Sequence, residues 1–146
     1  MINTFQLNYD ARLRDWYDLR TTLESSDTKT KCVEIDRWWQ RAPLVNHYLH
    51  PQDTENWPTP WELLADNTYC PVARGLGMCY TLALTGVESI DFVQGKDDNS
   101  EDVMLVLVDD AKYILNYYPN TVLSNTLNDF KITAKMDLAD VIKKIK

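Results

Sequence analysis

Histidine is almost missing from this chain: its 146 residues include two, His47 and His50. Imidazole is the side chain whose ordinary pKa suits proton transfer near neutrality, so hydrolytic chemistry here has these two to draw on as a base. Cysteine is also scarce. Cys32, Cys70 and Cys79 are an odd number without framework spacing, which points away from a disulfide-stapled scaffold and toward free thiols in a reduced, intracellular compartment. Positive charge is in deficit, with 15 Lys and Arg against 22 Asp and Glu and a net charge of −7. No general nucleic-acid partner is expected from that balance, because such binding needs clustered cations. The single basic cluster, Lys143-Lys144-Ile145-Lys146, reads as the favourable end of a helix. No apolar run approaches the roughly 18–20 residues that span a bilayer, so no membrane partner is expected. Met1 to Asp10 also lacks the basic start and apolar run of a secretory signal.

Apolar residues make up 45% of the chain, and five Trp and eight Tyr are included in it. This suits one domain, residues 1–146, with a real core. Leu13, Trp16, Tyr17 and Leu23 fall on one face of a helix from about Asp10. Ser25-Ser26-Asp27 breaks it and caps a second helix with Cys32, Ile35, Trp38, Trp39 and Ala42 at spacings of three and four, ended by Pro43. Asn46 to Pro60 reads as loop. Thr59-Pro60-Trp61-Glu62 is a capping box that opens a short helix to about Asp66.

A helix from about Pro71 to Thr85, closed by Gly86, is apolar almost all round and belongs in the interior. Its Gly75 and Gly77 each cost about 1 kcal/mol against Ala, which predicts close approach of a neighbouring element. Strands follow. Ser89 to Val93 alternates, Gln94 to Ser100 reads as a polar turn, and Val103 to Val108 is a continuous apolar run suited to a central strand covered on both faces. Lys112 to Tyr118 returns as its hairpin partner, and a strand from about Phe130 to Ala134 precedes a terminal helix capped by Asp137. Helices first and a meander of strands afterwards predict an α+β fold, with a buried central helix on a small antiparallel sheet.

The most informative residue is Cys70, which stands directly before Pro71 at the start of the apolar helix. Unpaired N–H groups and the macrodipole favour a thiolate at such a place. A nucleophile is one reading, and a small buried hydrophobe is the other. Cys32 and Cys79 fall on apolar faces and read as structural. Asn116 is either an orienting partner for a base or a strand-end residue that satisfies backbone groups. His47 and His50 stand three apart with Asp53 and Glu55 behind, but in a loop, so capping around Pro51 is expected and no metal site. Asp97 to Asp102 carries oxygen ligands without the glycine and spacing of an EF-hand, and reads as a solvated turn. Trp57, Trp61 and Tyr69 outline a groove for a peptide or flat ligand, or else fill gaps between helices. No cofactor is expected.

The order of a cysteine opening a buried helix, then a hairpin whose return strand carries Asn116, resembles the transglutaminase-like, papain-type cysteine hydrolases, especially the bacterial transglutaminase-like cysteine proteinases. Tyr69-Cys70-Pro71-Val72-Ala73, Leu76-Gly77-Met78, Val103 to Val108 and Tyr113-Ile114-Leu115-Asn116 carry the likeness, over about Asn67 to Val122. The resemblance implies Cys70 as nucleophile and a histidine at the start of the strand after the helix. That place falls near Glu101 or Asp102, and a carboxylate is too weak a base at pH 7. The whole chain also resembles uncharacterised proteins of tailed marine phages. Leu7 to Tyr17, Asn46-His47-Tyr48-Leu49-His50-Pro51, Trp57-Pro58-Thr59-Pro60-Trp61 and Ala111 to Tyr117 carry that likeness. It implies a place in the cytoplasm of an infected bacterium or in the particle. The leading expectation is a non-catalytic accessory or interaction protein with a protein partner. Its alternatives are an active cysteine hydrolase or acyl transferase using Cys70, Asn116 and His47 or His50, and a small-molecule or peptide-binding module.

Overall fold

The first three α-helices each begin on a side chain that the sequence places for them. Asn8 accepts the N–H of Ala11 at 2.9 Å and starts α1 (Tyr9–Leu23), and Asp27 accepts that of Thr30 at 2.7 Å and starts α2 (Thr28–Gln40). Thr59 and Glu62 form the reciprocal capping box of α3 (Pro60–Asp66). These bonds and the rest of the architecture come from a computed structural model that describes residues 3–45 and 49–145.

The helix ends are closed from a distance. Terminal carbonyls lack partners within a helix and concentrate negative potential, so a buried cation there answers both needs. Arg12 donates to Leu64 O at 2.8 Å and to Ala65 O at the end of α3. Lys31 reaches Thr85 O at 2.6 Å, at the end of α4 (Pro71–Leu84). Arg74 donates through Nε to Ala42 O at 3.0 Å and through a second nitrogen to the same oxygen, just past the end of α2.

Two glycines let α4 sit at the centre. A Cβ on Gly77 would lie 2.6 Å from the Trp39 ring of α2, and one on Gly75 would lie 2.6 Å from Phe92 and 2.9 Å from the Asn116 side chain. Close approach by a helix and by strands is what the two glycines predict. Thr81, one turn along α4 from Gly77, accepts the indole N–H of Trp16 at 3.0 Å and of Trp39 at 2.9 Å, and donates to Gly77 O at 2.7 Å. One hydroxyl thus satisfies both buried indoles and ties α1, α2 and α4 together.

The strands β1 (Ile90–Lys96), β2 (Asp102–Val108), β3 (Tyr113–Tyr118), β4 (Thr121–Ser124) and β5 (Lys131–Lys135) form one antiparallel sheet in the order β4-β3-β2-β1-β5. The apolar run of β2 is indeed central and covered twice. Met104, Val106 and Val108 join the helical core, whereas Leu105 and Leu107 form a second cluster with Val93 and Ile114, beneath Leu127 and Phe130. The fold is α+β, with helices packed on a five-stranded antiparallel sheet.

Three local expectations change. Gln94, Gly95 and Lys96 are not turn residues but continue β1, because they pair with Met104, Val103 and Asp102 on one side and with β5 on the other. Strand β4 has no strong pattern of its own and forms by pairing with β3 across the turn at Asn120, whose φ is 60°. The basic C-terminus does more than end its own helix, α5 (Ala139–Lys143), whose last turn carries Lys143. Lys144, just past it, donates to the carbonyls of Thr54 (3.2 Å), Glu55 (3.2 Å) and Trp57 (2.6 Å), which close a 3-10 turn in the long loop.

Candidate functional site around Cys70

Cys70 is the N-cap of α4, in extended conformation, with Pro71 as the first helical residue. Its approach is fixed from outside the helix. Leu44 pairs with Tyr69 in a parallel bridge, and the Val45 N–H donates to Tyr69 O at 3.1 Å. The Cys70 side of this junction opens on a cavity of about 320 Å³, and the residue is 6% exposed. The start of α4 supplies Cys70, Pro71 and Val72 to the lining. Strand β2 adds Asp102, Val103 and Met104, β3 adds Asn116 and Tyr117, β1 adds Gln94, and the long loop adds Pro51.

Asn116 joins the walls. It stands at φ 69° on a strand, a left-handed conformation that asparagine tolerates better than most residues. Its side-chain amide donates to Pro71 O at 3.0 Å and to Met104 O at 2.8 Å, which fastens the start of α4 to β2. Its backbone N–H donates to the Asp36 carboxylate of α2 at 2.9 Å. The Asn116 amide thus satisfies two backbone carbonyls from neighbouring elements.

Asp102 stands at the start of β2, beside Glu101 and near the place the resemblance assigns to a histidine, and its carboxylate pairs with Lys96 at 2.8 Å. Among the described residues, no imidazole lines the cavity. His50 accepts the Gln52 N–H on Nδ1 at 3.1 Å, within its own loop. His47 lies outside the described residues.

The groove expected from Trp57, Trp61 and Tyr69 is not formed, because the three rings face different neighbours. Trp57 is buried against Phe92 and donates its indole N–H to His50 O at 2.8 Å. Tyr69 is buried beside Phe5 and Trp39, with its hydroxyl on Leu63 O at 3.0 Å. Trp61 is 40% exposed and meets the edge of Trp16. Tyr69 fills a gap between helical elements, whereas Trp57 fills one between the long loop and β1.

The other candidates resolve in the same way. Asp97 holds its own turn: Oδ1 accepts the N–H groups of Asn99 and Glu101, and Oδ2 accepts the Tyr117 hydroxyl at 3.0 Å. Those bonds, the Glu101 N–H first, hold its carboxyl below the ordinary range. Cys32 and Cys79 are core residues. Burial pushes the Cys32 thiol up to about 12, helped by the charges of Asp36 and Asp109, and pushes Cys79 up as well. Among the described residues, no three His, Cys, Asp or Glu side chains converge to hold a metal ion.

Asp36 is the participant that the sequence patterns passed over. It lies on the same buried face of α2 as Cys32 and Trp39, is 0% exposed, and carries one oxygen without a partner. Burial raises its pKa against the pull of the Asn116 N–H, the Gln40 amide and Arg74. A carboxylate within the apolar stripe, four residues after Cys32, is the signal that could have marked it.

No protein-family model and no curated protein matches the chain. Its backbone does match solved structures of Legionella pneumophila LapG. With EGTA-treated LapG the TM-score is 0.72 at 14% identity, covering 88% of this chain and 74% of that one. With calcium-bound LapG the TM-score is again 0.72 at 14% identity, covering 94% and 77%. A third LapG structure gives 0.70 at 15% identity, covering 89% and 75%. Identity at this level speaks for the fold, and the chain therefore has the transglutaminase-like fold that LapG also has.

Proposed function

We propose that this chain is a non-catalytic interaction protein that keeps the cavity of a transglutaminase-like core and uses it to seat one neutral, mainly apolar side chain of a protein partner. The observation that carries this reading is the composition of the cavity wall. Cys70 and Asn116 are present, Asp102 lies near the place where the resemblance implies a histidine, and no described imidazole joins them. A carboxylate is in general a far weaker base than an imidazole and does not replace one in taking a thiol proton near neutrality.

The wall also favours one class of ligand. Pro51, Pro71, Val72, Val103 and Met104 are apolar, and Gln94 and Asn116 offer amide groups. Among the described residues the lining has no cation to meet an anionic ligand, while the charge of Asp102 is answered by Lys96. About 320 Å³ is at the small end of ligand pockets, which suits a single side chain. The resemblance to tailed-phage proteins supports an accessory role in an infected bacterium or in the particle.

The test uses acetylated tripeptide amides with a central Leu, Met, Glu or Lys. The Leu and Met peptides are expected to slow iodoacetamide alkylation of Cys70 at least threefold, the charged ones not. Intact mass after exposure to activated peptide esters is expected to show no acyl adduct on Cys70. Ester hydrolysis by the wild type that Cys70→Ser abolishes would overturn the non-catalytic reading in favour of a cysteine hydrolase. Absence of protection by any peptide would overturn the binding reading.

A further inference from the structure

Asp36 contributes no atom to the lining of the Cys70 cavity, yet it sits directly behind it. A buried carboxyl is costly unless its bonds are made, and this one leaves Oδ2 without a partner. The bonds it does make run toward the site. Oδ1 accepts the Asn116 N–H at 2.9 Å and the Gln40 side-chain amide at 3.4 Å. Arg74 of α4 lies close enough to favour its charge, while donating at 3.4 Å to the Gln40 side chain. Cys32, one turn earlier on α2, is the other titratable group that faces it.

The consequence is read in β3. A residue in the left-handed region turns its N–H out of the regular ladder, and the pairing of β3 with β4 shifts between Ile114 and Tyr118. The Asn116 N–H finds Asp36 instead of a strand. With its backbone so turned, Asn116 reaches Met104 O on β2 and Pro71 O on α4, in space kept open by Gly75. The Pro71 carbonyl belongs to the residue that follows Cys70. A chain of direct bonds therefore leads from the α2 carboxylate to the helix end that carries the thiol.

We propose that Asp36 is the positioning residue of the Cys70 cavity, holding Asn116 in its left-handed conformation and so fixing the wall beside the thiol from outside the site. As far as ligand seating is concerned this rests on the binding reading above; as far as the thiol is concerned it does not. The functional atom is the acceptor Oδ1, so an amide of the same shape serves and an apolar isostere does not.

Iodoacetamide alkylation of Cys70 is measured in the wild type, Asp36→Asn, Asp36→Leu and the exposed control Asp18→Asn, with amide hydrogen exchange at Asn116 read in the same proteins. Asp36→Leu frees the wall and is expected to raise the alkylation rate at least tenfold and to lower Asn116 protection at least tenfold. Asp36→Asn is expected to stay within threefold of the wild type in both, as is the control. Equal rates in Asp36→Leu and the wild type overturn the proposal, and so does an Asp36→Asn variant as altered as Asp36→Leu. Should Asp36→Leu not fold, the wild type decides: Asn116 N–H protection at the level of the central strand β2 supports the proposal, and free exchange overturns it. Peptides that fail to protect Cys70 in the wild type overturn the binding reading instead.

Discussion

Trp39 lies against Gly77 so closely that a Cβ at that glycine would sit 2.6 Å from the indole ring. The ring has nowhere to go. It is fully buried, edge-on to Trp38 at 4.9 Å, and its N–H is held by Thr81. The Gly77→Ala variant tests that constraint. Helix propensity alone predicts a gain of about 1 kcal/mol, whereas overpacking a rigid core costs about 1–3 kcal/mol. A backbone shift of α4 against α2 adds to the overpacking, so a net loss is expected, seen as a lower urea midpoint with an unchanged slope.

Thr81→Val removes a hydroxyl and keeps the shape. Two buried indole N–H groups, from Trp16 and Trp39, then lose their acceptor. Each unsatisfied buried donor costs about 1–3 kcal/mol, so a loss of roughly 2–6 kcal/mol is expected in denaturant titration. Thr81→Ser keeps the acceptor and should recover most of it. A Thr81→Val protein as stable as the wild type would remove the shared hydroxyl from its place in the core.

The three thiols should separate by reactivity. Cys32 and Cys79 are fully buried, with pKa values raised by burial, so at pH 8 they are expected to resist iodoacetamide in the native protein, leaving Cys70 as the labelled site. In denaturant all three should label. The same shift acts on stability: the unfolded Cys32 loses its proton near 9 while the folded one keeps it to about 12. Its contribution is therefore present below pH 9 and is lost as pH rises toward 12. Cys32→Ala should show a shallower alkaline loss than the wild type.

Asp36 acts on stability with the reverse of the usual carboxylate sign. Burial raises its folded pKa above the unfolded value of 3.8, so the folded protein binds the proton more tightly. Its contribution is then present below about pH 3.8 and is lost as pH rises through the folded value. Asp36→Asn has no such step. Its stability relative to the wild type should improve between acid and neutral pH, as followed by urea midpoints; a constant difference across that range would contradict the raised pKa.

Much of the fold is legible in particular short patterns. The caps at Asp27 and Thr59 depend on partners three residues away, so the sequence contains both halves of each interaction. Pro71 and the all-round apolar character of α4 mark its start and burial, and its two glycines announce close neighbours that proved to be Trp39 and Phe92. The apolar run of β2 marks the central strand. Pairing is less legible. Gln94 to Lys96 and Thr121 to Ser124 are polar or short, and became strand because neighbouring backbones offered ladder partners.

The site divides along the same line. Cys70 and Asn116 could be named from the chain because each stands at an element boundary or within a family-like order, and the tertiary structure placed both on one cavity. What each side chain does there was decided across distance. Asn116 bonds Asp36, Pro71 and Met104 over 80, 45 and 12 residues. Trp57 and Trp61, four apart, ended against Phe92 and Trp16 rather than on a shared groove. By itself, then, the sequence determined helices, caps, the central strand and the position of Cys70, since local bonds and periodic burial are written in short stretches of residues. The walls around that thiol, the buried acid behind Asn116 and the direction of each tryptophan were decided only by the tertiary structure, because their partners come from distant elements brought together in packing.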